Sequence, residues 1–93
     1  GPRFKFNEAV SLSVPRRDQA EVDRLWSALT ANGGRPVQCG WLQDKYGLFW
    51  QIVPEQLQDL VRNPDRDVAR RAMEAMFDMV KIDIATIEAA AKA

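Results

Sequence analysis

Residues 39–54 read CGWLQDKYGLFWQIVP, and this stretch decides the fold. Its second half, residues 48–53, is rich in the aromatic and β-branched residues that strands prefer. Side chains alternate between the two faces of a strand. One face of this strand therefore carries Leu48, Trp50 and Ile52, and the other carries Phe49, Gln51 and Val53. A shorter strand over residues 37–42 and a turn over residues 44–47 come before it. The sequence therefore predicts a β-hairpin.

A further strand and a helix are predicted upstream of the hairpin. Residues 8–14 alternate strictly and predict a strand that ends at Pro15, because proline cannot donate to a strand ladder. The larger side chains Val10, Leu12 and Val14 share one face, and Ala9, Ser11 and Ser13 share the other. Asp18, with Glu21 three residues later, predicts a capping-box start for a helix over residues 18–31. The apolar stripe of this helix consists of Val22, Leu25, Trp26 and Leu29.

Helices follow the hairpin to the end of the sequence. Residues 55–62 predict a short helix, residues 66–80 predict a second, and Asp83 suits the cap of a third. We therefore expect an α+β fold. It divides into a β-α-β-β half-module over residues 1–54 and a helical extension over residues 55–93.

One face of the predicted sheet has nothing in the sequence to cover it. The stripe of the 18–31 helix must pack on the larger strand face, which leaves the smaller side chains opposite. We predict that these residues line one concave, mainly apolar pocket: Ala9, Ser11, Ser13, Phe49, Gln51 and Val53. Gln51 is the central polar group. It either bonds a neighbouring backbone group or water, or it orients a ligand.

Composition excludes several functions. With no histidine among its 93 residues, the chain cannot form a Ser-His-Asp or Cys-His pair, and it lacks the commonest metal ligand. Its 13 basic and 13 acidic residues leave no excess charge for nucleic acid. The single cysteine, Cys39, points to a reducing compartment, and no signal peptide or membrane-spanning run is visible. We expect a cytoplasmic location and neither nucleic-acid nor membrane partners.

Residues 39–54, with residues 4–9 ahead of them, closely resemble the PhnB-like proteins. This family also bears the name 3-demethylubiquinone-9 3-methyltransferase domain and belongs to the glyoxalase/bleomycin-resistance (vicinal oxygen chelate) superfamily. The resemblance implies a βαβββ module, two of which curl around a cavity. It also implies that the chain is the C-terminal module of a longer protein.

The resemblance places two metal-ligand positions of metal-dependent members near Ala9 and at Gln51. Alanine has no donor atom, and an amide is a weak ligand beside a carboxylate or imidazole. We therefore expect no metal in this half and no cofactor.

Three functions stay open at this stage. The first is a protein that binds a small organic ligand in the sheet-lined cavity. The second is a methyltransferase-type enzyme, as the family name states, although Gly33-Gly34 follows a helix and not the strand that opens a cofactor-binding turn. The third is a non-catalytic, homodimeric binding protein. The uncovered sheet face and the methionine- and isoleucine-rich helices predict a partner, either a second copy or an N-terminal module.

Overall fold

The computed structural model describes residues 6–93, so residues 4 and 5 of the resembling stretch lie outside the described part. Eight elements follow in chain order: β1 (Ser11–Arg16), α1 (Gln19–Thr30), β2 (Arg35–Pro36), β3 (Trp41–Gln43), β4 (Phe49–Pro54), α2 (Glu55–Val61), α3 (Arg66–Phe77) and α4 (Ile84–Lys92). The α+β prediction is confirmed, and the first five elements have the order β-α-β-β-β.

The four strands form one sheet in the order β1-β4-β3-β2. β1 runs parallel to β4, with Ser13 opposite Gln51, whereas β3 runs antiparallel to β4 and to β2. Because parallel strands need a long connection, α1 and the two short strands lie between β1 and β4 in the chain. The predicted hairpin is present as β3 and β4.

β1 is shorter at its start than the alternation predicts. The Asn7 side chain accepts a hydrogen bond from the backbone N–H of Ala9 at 2.9 Å, and the Asn7 carbonyl accepts one from Val10 at 3.3 Å. Asparagine forms such local turns readily, and here the turn takes residues 8–10 out of the strand. The prediction that Pro15 ends the strand is also wrong: Pro15 lies inside β1, which an edge strand tolerates.

Residues 37–42, predicted as one strand, form a turn followed by the start of β3, and β2 lies just before them. Cys39 and Gly40 both have positive φ angles, 56° and 86°, which no continuous strand allows. Their backbone N–H groups donate to the carbonyls of Met79 (2.9 Å) and Val80 (2.8 Å). The turn therefore docks the segment after α3 against the sheet.

α1 packs on the sheet face that the sequence predicts. Asp18 caps the helix by accepting a hydrogen bond from the Ala20 N–H at 2.8 Å, while Glu21 bonds Arg24 and does not complete a capping box. The first core cluster joins α1 to β3, β4 and α4; its buried members are Val22, Trp26, Leu42, Ile52 and Ile84. Val14 and Trp50 pack beside them as expected, whereas Val10 and Leu12 are largely exposed.

The C-terminal helices form a second core cluster, with Leu57, Ala72, Ile82 and Ile87 buried at its centre. α3 ends at Phe77 and not near residue 80, and the carbonyls of Met79 and Val80 accept hydrogen bonds from the turn at Cys39. The Gln19 side chain fixes this segment: its Nε2 donates to the Ile82 carbonyl, and its Oε1 accepts from the Ile84 N–H at 2.7 Å. The division at residue 54 stays a prediction about domains.

None of the helices in residues 6–93 has the length and apolar character needed to cross a membrane.

Candidate functional site

The sheet face opposite α1 is the candidate site. Ile52 and Leu42 point toward α1, so alternation turns their neighbours Gln51 and Trp41 to the other side. Ser13 of β1 and Trp41 of β3 are the register partners of Gln51 on either side. We call this surface the open face and define it by Ser11, Ser13, Trp41, Phe49 and Gln51.

A hydrogen bond between side chains lies within the open face. Gln51 Nε2 donates to Ser11 Oγ at 2.7 Å, across the parallel pair β1 and β4. This bond fixes the orientation of the amide. A serine hydroxyl that accepts a bond still has its own proton to donate, and the amide carbonyl is an acceptor. The pair can therefore offer one donor and one acceptor side by side.

Aromatic side chains form the wall beside this pair. The rings of Trp41 and Phe49 lie 6.3 Å apart between centroids, tilted by 59°. This separation and tilt are typical of stabilising aromatic pairs. Phe49 is buried and Trp41 is partly exposed. The sequence prediction omitted Trp41, although its position one residue before the core residue Leu42 indicates the same face as Gln51.

Of the six residues predicted for the pocket, Ala9 lies outside the sheet, and Val53 lies in β4 but is covered by another part of the chain. Ala9 is exposed in the turn before β1, so the strand alternation that assigned it to this face does not apply. Val53 packs against the second core cluster, near Leu57 and Ile82. The other four residues share the open face, and whether they bind a ligand stays a prediction.

The open face does not suit a divalent metal. Its polar groups are two serine hydroxyls and the Gln51 amide, which is engaged with Ser11, and all of these are weak ligands beside a carboxylate or imidazole. In residues 6–93, no three His, Cys, Asp or Glu side chains are grouped as metal ligands would be. No step that requires a metal can be assigned to these residues.

Asp44 fixes the hairpin that carries Trp41, Phe49 and Gln51. One carboxylate oxygen accepts from the backbone N–H groups of Tyr46 (2.9 Å) and Leu48 (3.0 Å), and the other accepts from Trp50 Nε1 at 2.9 Å. Burial alone would raise the pKa of Asp44, but the hydrogen bonds from Trp50 and the turn amides outweigh it, and the pKa lies below its usual value.

We expect Asp44→Asn to lower the free energy of unfolding by about 1–3 kcal/mol at pH 7, because bonds to a charged acceptor are lost or weakened. A depressed carboxylate pKa contributes stability above the unfolded-state pKa, about 3.9, and that contribution is lost as the pH falls through the lower folded-state pKa. The variant should therefore lose less stability than the unaltered chain between about pH 5 and pH 2. Urea unfolding at several pH values measures both effects.

The control is Asp59→Asn, because Asp59 is 66% exposed and forms a long ion pair, at 3.7 Å, with the exposed Arg17. We expect this control to change stability by less than about 0.5 kcal/mol. Equal losses for both variants would contradict the structural role of Asp44.

A four-stranded sheet in the order β1-β4-β3-β2, with one crossover helix, fits the βαβββ module of the glyoxalase/bleomycin-resistance superfamily. Residues 1–53, more than half of the chain, match the family model described as 3-demethylubiquinone-9 3-methyltransferase. The chain belongs to this family, the PhnB-like proteins. The matched range stops before α2. No curated protein matches the sequence.

Proposed function

We propose that the open face binds a small, neutral organic molecule with a planar ring, in a cavity that a second module completes. The observation that carries this proposal is the Gln51–Ser11 pair, which lies beside an aromatic wall on the face opposite α1. Ligand sites commonly combine apolar walls with a few convergent polar groups.

The chemistry of the face supports this class of ligand. All five residues of the open face are uncharged, so nothing in it balances a charged ligand. Ser11 and Ser13 are small and leave space above β1, while Trp41 offers a surface on which a ring can stack. The name of the family refers to a demethylubiquinone, and the substituted ring of such a molecule, with its polar oxygens, fits the class.

The proposed cavity needs a second module, because this sheet supplies only one of its walls. Among residues 6–93, β1 is an edge strand of the sheet; Val10, just before it, is 61% exposed and Leu12, within it, is 46% exposed. Apolar side chains at the edge of a sheet favour association with another element. This second module is either another copy of the chain or an N-terminal module of a longer protein.

We propose ligand binding in preference to methyl transfer through these residues. Gly33 has a φ of 105° at the end of α1, and Gly34 packs against the backbone of α1 and β3. Both glycines are thus used to turn the chain after a helix, whereas the common methyl-donor site needs a glycine-rich turn after a strand. The proposal includes a non-catalytic homodimer as the simplest form of the protein.

We expect Gln51→Leu to weaken binding of 4-methoxyphenol about tenfold, because one hydrogen bond to the ligand is lost. The probe is neutral, planar and carries two oxygens, and calorimetry or ligand-observed NMR with the full-length protein measures its affinity. Gln58→Leu is the matched control, since it makes the same change on α2 and should leave the affinity unaltered. Unchanged affinity in Gln51→Leu would exclude the polar role of Gln51.

A further inference from the structure

Asn32 and Gly33 form an exposed turn between the end of α1 and the start of β2. Both have positive φ angles, 55° and 105°, which asparagine and glycine adopt more readily than other residues. An asparagine followed by glycine is also chemically reactive. Glycine has no side chain, so its backbone nitrogen is open to the amide carbon of the asparagine before it.

Hydrogen bonding leaves both reacting groups free. Within residues 6–93, the Asn32 side chain has no hydrogen-bond partner, and the Gly33 backbone N–H donates to no acceptor. A Cβ atom placed on Gly33 would meet nothing within 4 Å, so the surroundings leave the turn room to change its dihedral angles. The bond that closes the turn, from the Gly34 N–H to the Ala31 carbonyl, is long at 3.3 Å.

The other two asparagines of the chain lack this combination. Asn7 precedes Glu8, whose side chain shields the backbone nitrogen. Asn63 precedes Pro64, whose nitrogen carries no hydrogen and cannot attack. The side-chain oxygens of Asn7 and Asn63 each accept a hydrogen bond at 2.9 Å from the backbone N–H two residues ahead. These two residues therefore serve as internal references for Asn32.

We propose that Asn32 is a site of spontaneous deamidation, with water as the only co-reactant. The Gly33 backbone nitrogen attacks Asn32 Cγ and forms a new N–Cγ bond. The Cγ–Nδ2 bond breaks, and the amide nitrogen leaves as ammonia with the proton that the Gly33 nitrogen gives up. Water then opens the succinimide ring at one of its two carbonyl carbons. Opening at Cγ gives aspartate, whereas opening at the backbone carbonyl gives isoaspartate, in which the chain continues through Cγ.

The reaction changes both the charge and the backbone at the end of α1. The new carboxylate lies near the negative end of the helix dipole, which is unfavourable. Isoaspartate also adds an extra backbone carbon just before the tightly packed Gly34, where even a Cβ atom would lie 2.6 Å from the Leu29 carbonyl oxygen. We therefore expect the isoaspartyl form to unfold at a lower urea concentration than the variant Asn32→Asp, which carries the charge alone.

Incubation of the full chain in mildly alkaline buffer, followed by peptide mapping with mass spectrometry, tests the proposal. Alkaline buffer favours the reaction because the backbone nitrogen must lose its proton. We expect Asn32 to lose its amide at least about tenfold faster than Asn7 or Asn63, because the barrier is lower at this site. The unreacted chain has a formal net charge of zero, so anion exchange separates the more acidic product. Electron-transfer fragmentation distinguishes isoaspartate from aspartate.

Gly33→Ala should slow the reaction at Asn32 at least about tenfold, because the added methyl group shields the attacking nitrogen. The matched control is Gly47→Ala, which makes the same change at another glycine with a positive φ, 92°, and should leave the rate unaltered. Both rates are also measured in the urea-unfolded chain. The slowing by Gly33→Ala must persist there, because it does not depend on the fold.

Three results would overturn the proposal. Retention of the Asn32 amide in the folded chain, with its loss in urea, would show that the turn protects the site. Equal rates at Asn32 and Asn7, or an unaltered rate in Gly33→Ala, would show that the Gly33 nitrogen is not the attacking group. The site uses no residue of the open face, so the outcome of the ligand-binding experiments does not affect this test.

Discussion

Replacement of Ile52 by alanine should lower the free energy of unfolding by about 2–5 kcal/mol, the range for a large side chain removed from a packed core. Ile52 is fully buried, lies on the central strand β4 and contacts α1 in the first core cluster. Few small domains exceed a total stability of about 15 kcal/mol, so the variant should unfold at a much lower urea concentration.

The matched control is Leu12→Ala on the neighbouring strand β1. Leu12 lies on the same side of the sheet as Ile52, but it is 46% exposed. We expect a loss below about 1 kcal/mol, because little apolar area returns to water. A similar loss in both variants would show that α1 does not cover the sheet as described.

We expect Gly34→Ala to destabilise the chain by about 3 kcal/mol or more, because overpacking against rigid atoms forces the backbone to move. A Cβ atom at this position would lie 2.6 Å from the Leu29 carbonyl oxygen, 2.8 Å from Thr30 Cα and 2.9 Å from the Gln43 carbonyl oxygen. All three are backbone atoms and belong to α1 and β3, so no side chain can rotate away to make room.

Gly33→Ala separates this steric effect from the effect of backbone conformation. Gly33 has a φ of 105° and open space around the position of a Cβ atom. We expect a smaller loss, of about 1–2 kcal/mol, from the cost of the left-handed conformation alone. Urea unfolding of both variants gives the comparison, and a smaller loss in Gly34→Ala than in Gly33→Ala would refute the close approach of α1 and β3.

Local sequence patterns predict the elements that are determined by residues close together in the chain. The stripe of α1, its Asp18 cap, the hairpin turn and the two faces of β4 are all found as expected. Each depends on periodicity or on a short-range hydrogen bond, and these are visible in a window of a few residues.

Long-range contacts explain most of the differences between the predicted and the observed secondary-structure elements. The backbone at Cys39 and Gly40 turns because Met79 and Val80, some forty residues later, accept its hydrogen bonds. α3 ends at Phe77, just before the residues that make this contact, although apolar periodicity continues to Val80. No local pattern contains this information.

Strand alternation in the sequence predicts only part of the candidate site. Alternation identifies Ser11, Ser13, Phe49 and Gln51, because these residues lie in the paired strands β1 and β4. Alternation fails for Ala9, where the Asn7 turn precedes the strand. For Val53, alternation gives the face of the strand but not the contact with the second core cluster of the C-terminal helices, which covers this side chain.

The most direct test of ligand binding at the open face is to map the amide signals that shift when 4-methoxyphenol is added to the ¹⁵N-labelled full-length protein. We expect the largest shifts at Ser11, Ser13, Trp41 and Gln51, with the amides of α1 unaffected behind the sheet. Largest shifts on α1 or on α3 would contradict the proposed site.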